Sequence, residues 1–351
     1  MMLSQSRPVR VLVVDDSALV RRLLVDGFQR NGIDVVGQAS DPYRARDLLV
    51  ELKPDVMTLD VEMPRMDGVT FLKRFMPAMP TPTVMISSLT QEGKKITLDA
   101  LEAGAVDIIP KPGSALVDDL PLMLDDISRR VKDAARVDVS RFGRVAPRPI
   151  EKVDAALEET TDKLIAIGSS TGGVEALNHI IPAFPANSCG IVIVQHMPAG
   201  VTAKFAERLN GLSAMRVKEA ADGDRVMTGV VLIAPGGTKH MAVVRSGGEY
   251  RVQLKEGPEV NFSRPAIDIL FNSVAKSAGG NAAAAVLTGM GRDGAAGLLS
   301  IRQAGGRTVV QDEATSVVYG MPKAAHEAGA AELVAPLEKI PAFLSRATKR
   351  K

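Results

Sequence analysis

The sequence has little of what marks several common classes of protein. It contains no tryptophan and only 3% aromatic residues, which argues against a stacking surface for single-stranded nucleic acid. Its one cysteine, Cys189, excludes an intramolecular disulfide framework. No apolar run approaches the ~20 residues of a membrane span, and residues 1–8 have no apolar signal-peptide core. We therefore expect a cytoplasmic protein that does not insert into membranes.

The remaining composition fits a globular protein with a large core. Hydrophobic residues make up 46% of the chain and charged residues 24%. A length of 351 residues is enough for two domains, at ~150 residues per domain. The net charge of +2 gives no overall attraction to nucleic acid, and we expect no nucleic-acid partner.

Five apolar runs in the first part of the chain alternate with segments of helical spacing, which predicts a doubly wound, five-stranded parallel α/β sheet. The runs are Val9–Val14, Ile33–Gln38, Val56–Leu59, Val84–Ile86 and Val106–Ile109. Polar residues follow four of these runs: Asp15, Asp16, Asp60, Ser87 and Lys111. Because the carboxyl ends of parallel strands share one edge of the sheet, we expect these side chains to lie together.

Three carboxylates at one edge repel one another unless a cation lies among them, and hard oxygen ligands suit Mg²⁺. A carboxylate can also accept a phosphoryl group. Aspartates are common helix N-caps as well, but that interpretation does not account for Lys111 between two prolines.

The motifs VVDDS at 13–17, LDVEMPRMDG at 59–68 and KP at 111–112 resemble the receiver domain of two-component response regulators over residues 9–126. The resemblance implies that a histidine kinase phosphorylates Asp60. It also implies that Mg²⁺ is held by Asp16, Asp60 and the Glu62 carbonyl. The implied supporting residues are Asp15 beside the metal, with Ser87 and Lys111 on the phosphoryl group and a cis Pro112 after the lysine. Ile108 stands where many receivers carry an aromatic switch residue, which disfavours a switch by ring rotation.

Residues 127–161 are predicted to be a linker. Seven basic residues lie between Arg129 and Arg148, interspersed with acids, and the segment PRP follows at 147–149. Mixed charge of this kind is typical of a solvated connector rather than of a nucleic-acid surface.

Residues 162–347 repeat the pattern of apolar strands that end in polar residues, which predicts a second, mainly parallel α/β domain. The predicted strands are Leu164–Ile167, Gly190–Val194, Val230–Ile233, Ala283–Leu287 and Thr308–Gln311. Ser170, His196 and Asp293 follow three of them. Nucleophilic acyl transfer needs these three types, because an imidazole takes the serine proton and an acid fixes the imidazole tautomer.

The residues alone leave alternatives open. The GSSTGG segment at 168–173 is also typical of an anion-binding loop or a plain turn. Ser169 could replace Ser170 as the nucleophile, and His240 could replace His196 as the base. Four scattered histidines and one cysteine do not readily supply a metal site. The chain order Ser, His, Asp also differs from the order Ser, acid, His of α/β-hydrolases.

Five motifs resemble the catalytic domain of chemotaxis protein-glutamate methylesterases, the CheB family: GSSTGG at 168–173, QHMP at 195–198, APGGTKH at 234–240, LTGMGRDG at 287–294 and QDEATSVVYGMP at 311–322. The resemblance spans residues 162–344, and a receiver followed by an esterase is that family's architecture. It implies that Ser170 is the nucleophile, His196 the base and Asp293 the orienting acid. The backbone N–H groups of Thr171 and Met290 would form the oxyanion hole.

The resemblance further implies hydrolysis of glutamate γ-methyl esters on chemoreceptors, without a cofactor for the esterase reaction, and deamidation of receptor glutamine. Phosphorylation of the receiver would relieve its block of the esterase. Two other interpretations remain. The same fold could serve a different chemosensory pathway, or the second domain could act by binding, for example to DNA. A DNA-binding output would need a basic recognition helix, whereas this domain shows glycine turns after apolar strands.

Overall fold

A computed structural model describes residues 7–87, 91–111, 120–139, 150 and 162–348. The chain forms two compact units, Met1–Arg144 and Val145–Lys351. Pro112 and residues 140–149 and 151–161 of the predicted linker lie outside the described residues. Within the described ranges, no helix has both the length and the apolar character needed to cross a bilayer.

The first unit is a parallel sheet of five strands, as the sequence predicts, and the structure places them in the order β2-β1-β3-β4-β5. The strands are β1 (Arg10–Val14), β2 (Asp34–Ala39), β3 (Val56–Asp60), β4 (Thr83–Ser87) and β5 (Asp107–Pro110). The helices are α1 (Ala18–Arg30), α2 (Pro42–Leu52), α3 (Gly68–Phe75), α4 (Gln91–Glu102) and α5 (Leu120–Ala134). The strand order reverses between β1 and β3, and ligands of such sheets bind at that point, outside the carboxyl ends of the strands.

The central strands of this sheet are apolar on both faces because helices cover both faces. Every residue of β3 and β4 is buried, including Asp60 and Ser87 at their carboxyl ends. Helix α3 begins at Gly68, directly against β3. A Cβ at that position would lie 2.2 Å from the Asp60 carbonyl oxygen, so only glycine allows the helix to start so close to the acid.

The second unit contains a parallel sheet of seven strands in the order β15-β14-β13-β6-β7-β10-β8 and a sheet of three strands in the order β11-β12-β9. The strands are β6 (Leu164–Ser169), β7 (Gly190–Gln195), β8 (Arg216–Glu219), β9 (Arg225–Val226), β10 (Val230–Ile233), β11 (Lys239–Ser246), β12 (Glu249–Glu256), β13 (Ala282–Val286), β14 (Arg307–Gln311) and β15 (Leu333–Ala335). The helices are α6 (Gly173–Ile180), α7 (Val201–Leu212), α8 (Ile267–Ala278), α9 (Ala295–Gln303), α10 (Met321–Glu327) and α11 (Ile340–Thr348).

The mainly parallel α/β domain predicted from the sequence is confirmed. The small sheet is antiparallel, with β11 paired to β12 and β12 paired to β9, and the sequence did not predict it. Helix α8 packs on β11 and on α9, and hydrogen bonds join β11 to both Ala266, before the helix, and Ser277, near its C-terminus.

Candidate active site and phosphorylation site

The first unit has an acidic cluster at the carboxyl edge of its sheet. Asp60 ends β3, and its Oδ2 lies 2.6 Å from Nζ of Lys111. The same ammonium group lies 3.3 Å from Oδ2 of Asp15. The other carboxylate oxygens accept backbone N–H groups, Asp60 from Glu62 at 3.1 Å and Asp15 from Ser17 at 2.8 Å. One lysine therefore faces two buried carboxylates and neutralises them only in part.

This cluster fits a divalent cation. One carboxylate oxygen from each of Asp15, Asp16 and Asp60 lies within 4.8 Å of the others. Asp15 Oδ2 is buried, and within the described residues its contact with the Lys111 ammonium is an ion pair without hydrogen-bond geometry. Burial raises the pKa of Asp60 to about 6 despite the hydrogen bond from Lys111, and burial also raises the pKa of Asp15. A hard cation such as Mg²⁺ would supply the positive charge that these oxygens lack.

Three other residues singled out in the first unit lie around this edge. Ser87 is the last residue of β4 and is buried, one position beyond Ile86, which is the register partner of Asp60. Its carbonyl accepts the N–H of Lys111 at 2.8 Å. Glu62 is exposed, two residues after Asp60. Ile108 is buried in β5, so an apolar core side chain occupies the position of the aromatic switch.

In the second unit, hydrogen bonds connect Ser170, His196 and Asp293. His196 Nδ1 lies 3.2 Å from Ser170 Oγ, and its Nε2 lies 2.9 Å from Asp293 Oδ2. A proton on Nε2 is donated to the carboxylate, which leaves the Nδ1 lone pair to accept from the serine hydroxyl. The imidazole is 17% exposed, so the base borders solvent while its acid partner is buried. This arrangement can take a proton from Ser170 and return it to a leaving group.

Neighbouring strands bring these residues together. Ser169 of β6 pairs in register with Gln195 of β7, so Ser170 and His196 each follow directly after adjacent strands. Strand β13 pairs with β6 on the other side, and the segment after β13 brings Asp293 to the same edge. The three side chains thus come from three consecutive strands of the sheet, β7, β6 and β13.

Asp293 is held by donors on both of its carboxylate oxygens. Its Oδ2 accepts the N–H of Ile267 at 2.7 Å in addition to the imidazole. Its Oδ1 accepts three further hydrogen bonds of 3.0 to 3.1 Å, from Asp268 N, Gly294 N and Asn261 Nδ2. Ile267 and Asp268 open α8, and a helix N-terminus favours negative charge. Burial by itself raises the pKa of Asp293, but the donors outweigh burial and hold that pKa below its ordinary value.

The peptide that carries the Thr171 N–H is fixed through its carbonyl. Ser170 O accepts the N–H of Gly173 at 2.8 Å and Nε2 of Gln195 at 2.9 Å. Because the N–H of a trans peptide points away from its C=O, these two bonds orient the Thr171 N–H to the opposite side.

The peptide that carries the Met290 N–H is fixed in the same way. Gly289 O accepts the N–H groups of Met321 at 2.8 Å and Gly320 at 3.2 Å. Within residues 162–348, neither the Met290 N–H nor the Thr171 N–H donates a hydrogen bond. Two backbone donors are therefore oriented and available near the Ser170 hydroxyl, as an oxyanion requires.

Ser169 and His240, the alternative nucleophile and base, lie in environments that differ from those of Ser170 and His196. Ser169 is fully buried, and its Oγ donates to Oε1 of Gln195 at 2.6 Å. His240 is also buried, with Nδ1 accepting the N–H of Ala266 at 3.1 Å and Nε2 2.9 Å from the carbonyl oxygen of Pro258. Both of these side chains are already engaged with neighbours, so the geometry favours Ser170 and His196.

Several residues that hold this site were not predicted from the sequence. Gln195 anchors the Ser170 carbonyl, and its position directly before His196 was the available signal. Asn261 donates to Asp293 and also, at 2.8 Å, to Asp268, whose pKa is raised by burial and by the charge of Asp293. Ser263 Oγ lies 3.4 Å from His196 Nδ1. No strand end marks Asn261 or Ser263 in the sequence.

Comparisons with known proteins cover both units. Residues 165–344 match the family model described as CheB methylesterase, and residues 11–125 match the response regulator receiver domain. A protein-glutamate methylesterase/protein-glutamine glutaminase of Syntrophotalea carbinolica is 56% identical over 339 residues, 95% of this chain and 96% of its own. One of Pseudomonas aeruginosa is 52% identical over 345 residues, 98% of each chain. The crystal structure of the Thermotoga maritima CheB methylesterase catalytic domain aligns with TM-score 0.51 and 42% identity, over 52% of this chain and 97% of that one.

Proposed function

Because the chain belongs to the CheB methylesterase family and carries a response regulator receiver domain, we propose that it hydrolyses glutamate γ-methyl esters on chemoreceptors, releasing methanol. Deamidation of receptor glutamine is proposed as a second activity, since the relatives are named for both reactions. We assign residues 9–126 to the receiver, 127–161 to the linker and 162–347 to the esterase, and place the protein in the cytoplasm.

The observation that carries the proposal is the hydrogen-bonded series from Ser170 through His196 to Asp293 beside two oriented N–H groups. Ser170 Oγ attacks the ester carbonyl and passes its proton to His196 Nδ1, while Asp293 keeps the other proton on Nε2. The Thr171 and Met290 N–H groups stabilise the oxyanion, and each such donor contributes about 10²–10³ in turnover. Nδ1 then protonates the departing methanol, and water releases the acyl-enzyme by the same steps.

Control by a histidine kinase is proposed to act through Asp60. Asp16, Asp60 and the Glu62 carbonyl would hold Mg²⁺, which when bound supplies positive charge to the phosphoryl oxygens. Asp15 supports the metal. Lys111 is placed to pair with the phosphoryl group because its ammonium already contacts Asp60, and Ser87 is assigned the remaining phosphoryl contact.

The experiment is methanol release from methylated receptor fragments, with and without a small acyl phosphate as phosphodonor. Ser170→Ala should lower release at least about a thousandfold, because it removes the nucleophile. Ser169→Ala is the matched control, since that hydroxyl is buried one position away and faces Gln195. Full activity in Ser170→Ala would refute the assignment of the nucleophile, and a wild type inactive on every receptor fragment would refute the esterase itself.

A further inference from the structure

The segment 257–265, here called the 257–265 loop, reaches the catalytic residues with two side chains. Asn261 Nδ2 donates to Asp293 Oδ1 at 3.1 Å. Ser263 Oγ lies 3.4 Å from His196 Nδ1, the same nitrogen that lies 3.2 Å from Ser170 Oγ. The base nitrogen therefore has two hydroxyl groups within hydrogen-bond distance, and the proposed mechanism uses only one.

The backbone holds Ser263 in this place. Val260 N donates to Ser263 O at 3.2 Å, and Ser263 N donates to Val260 O at 3.0 Å, which closes the tip of the loop. Arg264 ties the base of the loop, donating to the carbonyl oxygens of Gly257 at 2.7 Å and Gly237 at 3.1 Å. The Ser263 hydroxyl is thus positioned before any substrate binds.

The leaving group has to approach the nitrogen that this hydroxyl faces. His196 Nδ1 has to donate its proton to the leaving atom, and such transfers need heavy atoms about 2.6–3.2 Å apart. Ser263 Oγ lies 3.4 Å from the same nitrogen, so an atom that reaches Nδ1 can also come within hydrogen-bond distance of this hydroxyl. Ser263 therefore lies where it can contact the departing methanol oxygen or the departing amide nitrogen.

The two leaving groups differ in what they can use from a hydroxyl. An ester oxygen has no hydrogen to donate, and a spare lone pair already faces the base. An amide nitrogen carries hydrogens, and attack on the planar amide leaves its lone pair pointing away from the attacking oxygen. That nitrogen must invert before Nδ1 can protonate it. A hydrogen-bond acceptor for the N–H favours the inverted form, and a serine hydroxyl has two acceptor lone pairs.

We propose that Ser263 Oγ accepts a hydrogen bond from the leaving nitrogen during glutamine deamidation, and so sets the ratio of glutaminase to methylesterase activity. The inference rests on the proposed function of the Ser170 site. Ser170 Oγ bonds to the amide carbon and its proton moves to Nδ1 of His196. The C–N bond then breaks, the Nδ1 proton goes to nitrogen, and ammonia leaves the acyl-enzyme. Water adds to that ester, Ser170 takes back a proton, and glutamate is released.

The test compares kcat/KM on two receptor fragments that differ only in carrying glutamine or γ-methyl glutamate at one site. Ammonia and methanol are measured for the full-length protein. Both substrates give the same acyl-enzyme, and kcat/KM reports only the steps up to its formation, so changes in deacylation do not enter. In Ser263→Ala the ratio of amide to ester kcat/KM should fall about tenfold, the effect of one lost hydrogen bond. A merely structural role would lower both values together.

Ser263→Thr is the matched control, because it keeps the hydroxyl and should hold the ratio within about threefold of the wild type. An unchanged ratio in Ser263→Ala would overturn the inference, as would an equal fall in Ser263→Thr. A wild type that releases methanol but no ammonia would also overturn it and leave the esterase intact. Loss of both reactions in Ser170→Ala tests the proposed function separately.

Discussion

Gln195 offers the sharpest test of how the backbone donors near Ser170 are held. Its Nε2 donates to the carbonyl oxygens of Ser170 at 2.9 Å and His196 at 3.1 Å, and its Oε1 accepts from Ser169 at 2.6 Å. The side chain is 2% exposed. Gln195→Met keeps the length of the side chain and removes all three hydrogen bonds without opening a large cavity.

The magnitude follows from what is left unpaired. The Ser169 hydroxyl loses its acceptor, and two carbonyl oxygens each lose one donor, although Ser170 O keeps the N–H of Gly173. An unsatisfied buried polar group costs about 1–3 kcal/mol, and the partial losses cost less, so the substitution should lower the free energy of unfolding by about 2–4 kcal/mol. Full loss of the Thr171 donor would cost about 10²–10³ in turnover; with one anchor retained, we expect kcat to fall about 10- to 100-fold.

The loss of turnover and the loss of stability are measured separately on the same preparation. Methanol release at saturating substrate gives kcat, and urea unfolding gives the free energy of unfolding. An oxyanion donor acts in the transition state, so kcat and kcat/KM should fall together. Ser169→Ala is the control, since it leaves both Nε2 hydrogen bonds in place. It should cost about 1–2 kcal/mol of stability and change kcat less than about twofold. A folded Gln195→Met enzyme with wild-type kcat would refute the reasoning, and so would an equal loss in Ser169→Ala.

Two further predictions concern packing and charge. In Gly289→Ala the new Cβ would lie 2.8 Å from Ser170 Cβ and 2.5 Å from Met321 Sδ, so methanol release should fall at least about tenfold and stability by about 1–3 kcal/mol. In the presence of a chelator, the folded first unit holds a proton on Asp60 up to pH about 6, against 3.8 for the ordinary carboxyl, so its stability should fall as the pH rises through that range. Relative to Asp60→Asn, which cannot titrate at this position, the free energy of unfolding of the wild type should fall by on the order of 3 kcal/mol between about pH 4 and about pH 7. Mg²⁺ should make this fall smaller.

Both the Gly289→Ala prediction and the Asp60 prediction have an outcome that would contradict them. Gly248→Ala is the packing control, because a Cβ there meets no atom within 4 Å, and it should be close to neutral. Equal losses in the two alanine variants would mean that crowding at Ser170 is not the cause. For Asp60, chemical unfolding across the pH range in chelator decides the matter. If the wild type instead gains stability relative to Asp60→Asn as the pH rises, then the neighbouring donors and charges stabilise the ionised Asp60 carboxylate, contrary to the prediction.

The residues at strand ends could be predicted from sequence because the signal is local. Asp60, Ser170 and His196 each follow a run of buried apolar residues, and parallel strands bring their carboxyl ends to one edge whatever the details of packing. Asp293 was also found this way, although six residues separate it from the end of β13. The order of the strands within each sheet does not follow from this pattern and is known only from the structure.

The residues that hold the site in place could not be predicted in this way. The 257–265 loop has no periodic pattern, and its position depends on contacts far away in the chain. The buried His240 ring, for example, lies between Pro258 and Ala266 at the two ends of the loop. The small antiparallel sheet that carries His240 was missed as well, although it does have a local signal. Strand β12 reads EYRVQLKE, an alternation of polar and apolar residues, and the pair Gly247-Gly248 precedes it as a hairpin turn would require, whereas β11, KHMAVVRS, has no such alternation.

The orientation of the His196 ring has a consequence for how such sites are recognised across unrelated folds. In the chymotrypsin-type proteases the ring nitrogen farther from the main chain faces the serine, and the nearer one faces the acid. Here the ring is used from the other end, with Nδ1 toward Ser170 and Nε2 toward Asp293. A geometric search that names the atoms would overlook this centre, whereas one that names the chemical roles would find it. Either nitrogen of imidazole can act as the base. Unrelated folds that acquired the same three residues independently can therefore differ in which ring nitrogen faces the serine.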